Sequence, residues 1–263
     1  MTPPRTISRR RLLAGLAGVP LASLAALAPP SRPMRRTTFV LVHGAWHGGW
    51  CWRKLTPLLR AAGHAVLTPT LTGLGDRAHL LNPGIDLDTH IQDVAALLEF
   101  EDLQEVVLVG HSYGGMVISG VAAKARARLS QLVYLDALLP ENGKAATDYI
   151  TLDPAKDDAW RVPPPGPPSA FGVTNDRDAE WMARRLRDQP RKTFTQPIRL
   201  AGGNGTWLPS TFIQCTDLPF AAAAGMRAKR LGYSYRALFA AGHDAMVTQP
   251  LALANMLVGH PLP

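Results

Sequence analysis

The chain has 263 residues, 46% hydrophobic and 18% charged, with two cysteines and a formal net charge of +8. That length supplies a sizeable core, and the composition excludes disordered, collagen-like and polytopic membrane classes. Two cysteines, Cys51 and Cys215, exclude a disulfide framework and a four-thiolate zinc site, and nothing among the eight histidines has metal-ligand spacing.

The charge is unevenly placed. Half of the net positive charge is Arg5, Arg9, Arg10 and Arg11, in an opening segment that carries no acid. The rest is scattered, which argues against nucleic-acid binding. Ser8-Arg9-Arg10-Arg11 precedes an apolar run, Leu12 to Ala28, interrupted by Gly15, Gly18 and Pro20. A positive head, an apolar middle and two small-residue sites (Ser23-Leu24-Ala25 and Ala26-Leu27-Ala28) are the three parts of an export signal. The paired arginines resemble a twin-arginine signal, which implies the twin-arginine export machinery as a partner. Residues 1–36 are thus expected to be signal and tether. The mature protein would have no stable membrane span and a periplasmic or secreted location.

Beyond this segment, strand and helix signals alternate. Strands are predicted at Thr38–Val42, Ala65–Thr68, Val106–Val109, Gln131–Leu135, Thr211–Cys215 and Tyr233–Phe239. Helices are predicted at Trp52–Ala62, Asp88–Phe100, Tyr113–Arg128, Phe220–Leu231 and Leu251–Val258. Continuous apolar strands alternating with helices predict an α/β fold, a mostly parallel sheet with helices on both faces. The alternation stops between Pro140 and Pro209, where prolines cluster at 163–165 and 167–168 and Gly202-Gly203-Asn204-Gly205 follows. So long an excursion predicts a cap over 140–209 inserted into a core of 37–139 and 210–263. Trp160, Phe171 and Trp181 would give it an apolar underside.

Chemistry-bearing residues collect at strand ends. Gly110-His111-Ser112-Tyr113-Gly114 follows the VVLV strand and opens a helix, the setting in which a strained turn lifts a serine hydroxyl off a sheet. After the first strand, His43-Gly44-Ala45-Trp46 can set the Ala45 amide opposite that of Tyr113, two donors for an oxyanion. His43 itself reads as a structural turn residue. Trp46, Trp50 and Trp52 are pocket candidates, and both cysteines read as packing residues. After the last strand, His243 in Ala241-Gly242-His243-Asp244 can accept the Ser112 proton and return it. His79, His90 and His260 read as surface residues. Two carboxylates fit between serine and histidine in chain order: Asp136, ending the LVYLD strand, and Asp217, after TFIQC. A carboxylate at a buried strand end is expensive without a task, which favours Asp136, whereas Asp217 could be a helix cap.

From Thr38 onward the chain resembles the α/β-hydrolase branch of plant salicylate methylesterase-like proteins, hydroxynitrile lyases and bacterial esterases, including pyrethroid hydrolases. The stretches that carry the resemblance are FVLVHGAWHGGWCW, LTGLGDRAHLL, VVLVGHSYGGMVI, LVYLDALLPENG and AGHDAMV. The resemblance implies the α/β-hydrolase fold, no metal and no cofactor. It also implies Ser112 as nucleophile, His243 as base, and the Ala45 and Tyr113 amides as oxyanion hole. In the plant members the acid lies three residues after the cysteine of TFIQC; here Leu218 holds that place and Asp217 precedes it. Some haloalkane dehalogenases are similar at LVYLDALLP and carry their acid there, so Asp136 is favoured with Asp217 as the alternative. The lyases have Thr at Gly44 and Lys after the histidine, where this chain has Asp244, whose charge would repel a departing anion. The implied function is hydrolysis of small hydrophobic esters through an acyl-enzyme. The alternatives are carbon–carbon lyase chemistry and a catalytically silent binding protein.

Overall fold

The computed structural model describes residues 1, 36–152, 160–200, 208–218 and 220–259. The expected export signal, most of its tether and the Gly202–Gly205 run lie outside the described residues. Among those described, no helix is long and apolar enough to cross a membrane.

Six strands form the core sheet: β1 (Thr38–Val42), β2 (Ala65–Leu67), β3 (Val106–His111), β4 (Leu129–Leu135), β7 (Ser210–Cys215) and β8 (Ser234–Leu238). Between β4 and β7, β5 (Arg161–Val162) and β6 (Gln189–Pro190) make a separate antiparallel pair. The core order is β2-β1-β3-β4-β7-β8 and every pairing is parallel. The β-branched runs TFVLV and VVLV account for the central strands, since a strand buried on both faces must be apolar at every position.

Alternate side chains of each strand enter different apolar cores. Val40, Val42, Val106, Leu108, Leu132 and Tyr134 join α2 (Leu87–Phe100) and α3 (Gly114–Ala125) on one face. Phe39, Leu41, Val107, Val109, Val133 and Leu135 join α1 (Leu55–Ala61) and α8 (Pro250–Val258) on the other. The sheet is therefore covered twice, as the alternation predicts.

Element ends differ locally from expectation. Trp52 belongs to a 3₁₀ turn, Gly49–Trp52, because the helix starts only at Leu55. The helix after Ser112 tightens into 3₁₀ geometry at Arg126–Arg128. The excursion from 140 to 209 contains β5, β6, α4 (Asp176–Ala183) and the short α5 (Arg191–Thr195). Two further helices, α6 (Ala222–Arg230) and α7 (Ala245–Thr248), follow β7 and β8 respectively.

One contact governs how α3 meets the sheet. A Cβ on Gly115 would lie 1.9 Å from the Leu138 carbonyl oxygen, a backbone atom that cannot swing aside. By contrast, Gly143 needs a left-handed backbone (φ +78°) but has nothing within 4 Å of its Cβ position. Gly115→Ala is expected to cost about 2–4 kcal/mol and Gly143→Ala about 1 kcal/mol, read from urea unfolding midpoints. Equal small losses would refute the close approach at Gly115.

Candidate active site

The site is assembled by two non-glycine residues with left-handed backbones. Ser112 (φ +54°) ends β3 and Asp136 (φ +42°) ends β4. Such conformations cost free energy in L-residues and persist only where surrounding bonds fix them. Here the Ser112 amide donates to the Leu135 carbonyl (3.2 Å), and the Ser112 carbonyl accepts from Gly115 and Leu138 (3.0 Å each). The Asp136 amide donates to the Ile213 carbonyl of β7 at 2.7 Å. Both turns are thus tied to neighbouring strands, and both side chains are buried.

Asp136 is placed beside His243. Its Oδ2 lies 2.6 Å from His243 Nδ1, while Oδ1 accepts from the Cys215 amide (3.2 Å) and the Gln214 side chain (3.3 Å). An ionised carboxylate only accepts, so His243 Nδ1 carries a proton and Nε2 is left with its lone pair. Asp217 is not brought there. It is exposed, no described residue bonds its carboxylate, and its amide donates to the Ala241 carbonyl (3.0 Å). The one-residue offset from the plant pattern leaves it beyond the end of β7 on the solvent side.

Ser112 and His243 both line a cavity of about 370 Å³ together with Ala45 and Tyr113. The amides of Ala45 and Tyr113 find no acceptor among the described residues. Gly44 lets the chain pass close to the serine: a Cβ there would stand 2.9 Å from both Ser112 Cβ and His111 Nδ1. His43 is the structural residue the sequence suggests. It is buried and its Nε2 accepts from the Leu71 amide (3.0 Å), so its Nδ1 donates to the Gly44 carbonyl (2.8 Å). Burial lowers its pKa to about 3, keeping it neutral in that tautomer.

The cavity walls are apolar. Trp46, Leu138, Ile150, Leu152, Val162, Phe171, Phe194 and Phe220 contribute, and no Asp, Glu, Lys or Arg is among the described lining residues. Trp46 also holds the wall together from a left-handed backbone (φ +64°). Its indole donates to the Val162 carbonyl (3.0 Å), its amide donates to Gln189 Oε1 (3.1 Å), and its carbonyl accepts from Arg187 (3.0 Å).

Several expectations are corrected here. Of the three tryptophans after β1, only Trp46 reaches the cavity; Trp52 is in the core and Trp50 meets Trp181 edge-on at 5.1 Å. Trp181 is therefore outside the cavity, as is Trp160, leaving Phe171 as the predicted roof residue that lines it. His90 is not a surface residue. It is buried, bonded to the Tyr113 hydroxyl (3.0 Å) and the Thr72 carbonyl (2.9 Å), and burial lowers its pKa to about 4. Asp244 does not face the cavity at all: its Oδ2 lies 2.9 Å from His47 Nε2, behind His243. Its charge therefore does not act on a leaving group as the sequence suggested, although no lysine occupies the place either. Both cysteines are buried and unpaired, and burial pushes their thiols up, away from thiolate chemistry.

Comparison with known proteins identifies the family. The chain is 41% identical over 237 residues to the carbendazim hydrolyzing esterase of Nocardioides sp. (strain SG-4G), covering 83% of this chain and 97% of that protein. The alpha-hydroxynitrile lyase of Arabidopsis thaliana is 38% identical over 108 residues, 41% of this chain and 42% of the lyase. The crystal structure of the Arabidopsis methylesterase MES16 superimposes with a TM-score of 0.70 at 26% identity, covering 85% of this chain and 98% of that one. Residues 39–256 match the alpha/beta hydrolase family, and the chain belongs to that family.

Proposed function

We propose that the chain is a carboxylic-ester hydrolase that uses Ser112 as nucleophile on small, uncharged, apolar esters. The observation that carries this reading is the convergence on one apolar cavity of Ser112 and an Asp136-oriented His243 beside two unengaged amides. Its relative named as an esterase, similar over most of both chains, supports the same activity.

The reaction follows from the protonation pattern. With Nδ1–H held by Asp136, His243 Nε2 accepts the Ser112 proton as the hydroxyl oxygen attacks the ester carbonyl. The carbonyl oxygen becomes an oxyanion, and the amides of Ala45 and Tyr113 stabilise it. His243 then gives the proton to the departing alcohol, leaving an acyl-enzyme on Ser112. Water deprotonated by His243 releases the acid and restores the serine. Walls whose described residues carry no formal charge favour neutral acyl and alcohol groups, since a buried unpaired charge would lose its hydration.

Residues 140–209 act as the cap in this reading. Val162, Phe171 and Phe194 from that segment line the cavity, which sets acyl or alcohol size. The opening segment, with its arginine pair and apolar run, serves as a twin-arginine export signal, so the mature enzyme works outside the cytoplasm. Carbon–carbon lyase chemistry is disfavoured, because Gly44 and Asp244 stand where the lyases have Thr and Lys.

With a short-chain p-nitrophenyl ester, Ser112→Ala should lower kcat at least about 10³-fold. Equal activity in the mutant would mean another nucleophile. Asp136→Asn should cost about 10³–10⁴-fold through the wrong histidine tautomer, while Asp217→Asn should stay within about threefold. A larger loss at Asp217 would reverse the assignment. Carbendazim and a cyanohydrin complete the panel, the former expected to be turned over and the latter to release no cyanide.

A further inference from the structure

Behind the site lies a second histidine–carboxylate pair that the reaction does not use. His47 and Asp244 are almost wholly inaccessible, at 1% and 0% exposure. His47 Nε2 lies 2.9 Å from Asp244 Oδ2, and His47 Nδ1 lies 2.6 Å from the Ala45 carbonyl oxygen. A carbonyl and an ionised carboxylate are both acceptors, so satisfying both contacts requires a proton on each ring nitrogen. The alternative, a neutral His47 beside a protonated Asp244, would put an acid proton where the imidazole is the stronger base.

The surroundings leave His47 as the cation. The titratable groups facing the pair are His111, His43, His243, Cys51 and Cys215. His111 Nε2 donates to the His243 carbonyl (3.0 Å) and stands 3.6 Å from Asp244 Oδ1; burial holds its pKa well below the ordinary histidine range. His43 is neutral and the thiols are protonated, as above. Burial opposes charge on both members, yet each outweighs this for the other, raising His47 and lowering Asp244. Trp50 stacks on the His47 ring at 5.2 Å.

We propose that His47 and Asp244 are positioning residues, a buried imidazolium–carboxylate pair that holds the Ala45 peptide on target and ties it to the turn bearing His243. The inference rests on the reading of Ala45 as an oxyanion donor. His43 fixes the peptide before the Ala45 Cα through the Gly44 carbonyl, and His47 fixes the one after it through the Ala45 carbonyl. Together they leave Ala45 little freedom to rotate its N–H away from the cavity. Asp244 keeps His47 doubly protonated, and because it adjoins His243, the oxyanion donor and the base share one anchor.

The sign of the pH response follows. The raised His47 favours the folded, paired state fully below the ordinary histidine pKa, and this is lost as pH rises through the raised value. The lowered Asp244 contributes above the ordinary carboxylate pKa, and this is lost as pH falls through its depressed value. The pair is intact between those limits.

Nitrogen-15 histidine NMR of the whole protein tests the protonation state independently of activity. One imidazolium, assigned by its absence in His47→Gln, is expected to persist at pH 7 and to titrate above about 6.5. Asp244→Asn should make it neutral at pH 7, because the amide can donate to Nε2. A neutral His47 at pH 7 in the unmodified protein overturns the proposal. Kinetics test the positioning. His47→Gln keeps a donor towards Asp244 and loses the Ala45 contact, so kcat should fall about 10–100-fold with KM within about threefold. The double variant His47→Asn/Asp244→Asn keeps a donor to Ala45 without either charge, and should recover at least tenfold of that loss. Both variants at unchanged kcat, with only the unfolding temperature lowered, would show a purely structural pair. If Ser112→Ala instead retained full activity, the Ser112 reaction and with it the oxyanion role of Ala45 would fall while the NMR result stood.

Discussion

The Ser112 peptide is the knot on which the site depends. Its amide is bonded to the end of β4, and its carbonyl accepts from both the first turn of α3 and the turn after β4. Those bonds hold a left-handed serine in place, and they also fix the spacing between the β3 and β4 turns. Gly115 permits this, since any side chain there would strike the Leu138 carbonyl. With the two turns locked, Asp136 emerges from a left-handed turn of its own and meets His243 from the β8 side. Strain in two residues is thus converted into the convergence of side chains from three strands.

Among the described residues, the cavity lining carries no charged side chain. The carboxylates near the site, Asp136 and Asp244, face away from the substrate space, each against a histidine. Low-dielectric surroundings strengthen such pairs when every polar partner is met and penalise them when one is missing. The described lining offers a ligand the serine, the histidine, Thr151 and mostly apolar walls. In the proposed reaction such a site discriminates between the neutral ester and the oxyanion that forms from it, because the fixed amide donors gain most when negative charge develops.

Much of this was legible from the chain because the determinants are local. The order of strands and helices follows from runs such as TFVLV and VVLV, and the glycines around Ser112 and His243 mark the turns that bring both residues to one cavity. What the sequence left open depended on where distant segments meet. Asp136 and Asp217 both follow a core strand, and only the backbone turn at Asp136 and its bond to β7 separate them. His90 looked like a surface residue of α2, since its partners Tyr113 and Thr72 lie on other segments. Asp244 was read as facing a leaving group because the lyases carry a lysine at that place. Successive residues on a tight turn point in different directions, and its real partner, His47, is 197 positions away.

The loop from Gly44 to His47 is one of the places where the 140–209 segment meets the turns of the site, Phe171 against Asp244 being another. Trp46 reaches the cap through its indole, its amide and its carbonyl, while the residues on either side reach inward, Gly44 to His43 and His47 to Asp244. A shift of the β5–β6 pair would pull on Trp46, and its left-handed backbone has few alternative conformations into which to relax. The displacement would therefore pass to Ala45, which lines the cavity. In the proposed reaction, cap position and the Ala45 donor are linked through Trp46, alongside the Phe171 carbonyl that accepts from Asp244 and ties the same segment to the His243 turn. In the proposed reading, the same short loop therefore bears both on substrate size and on the stabilisation of developing charge.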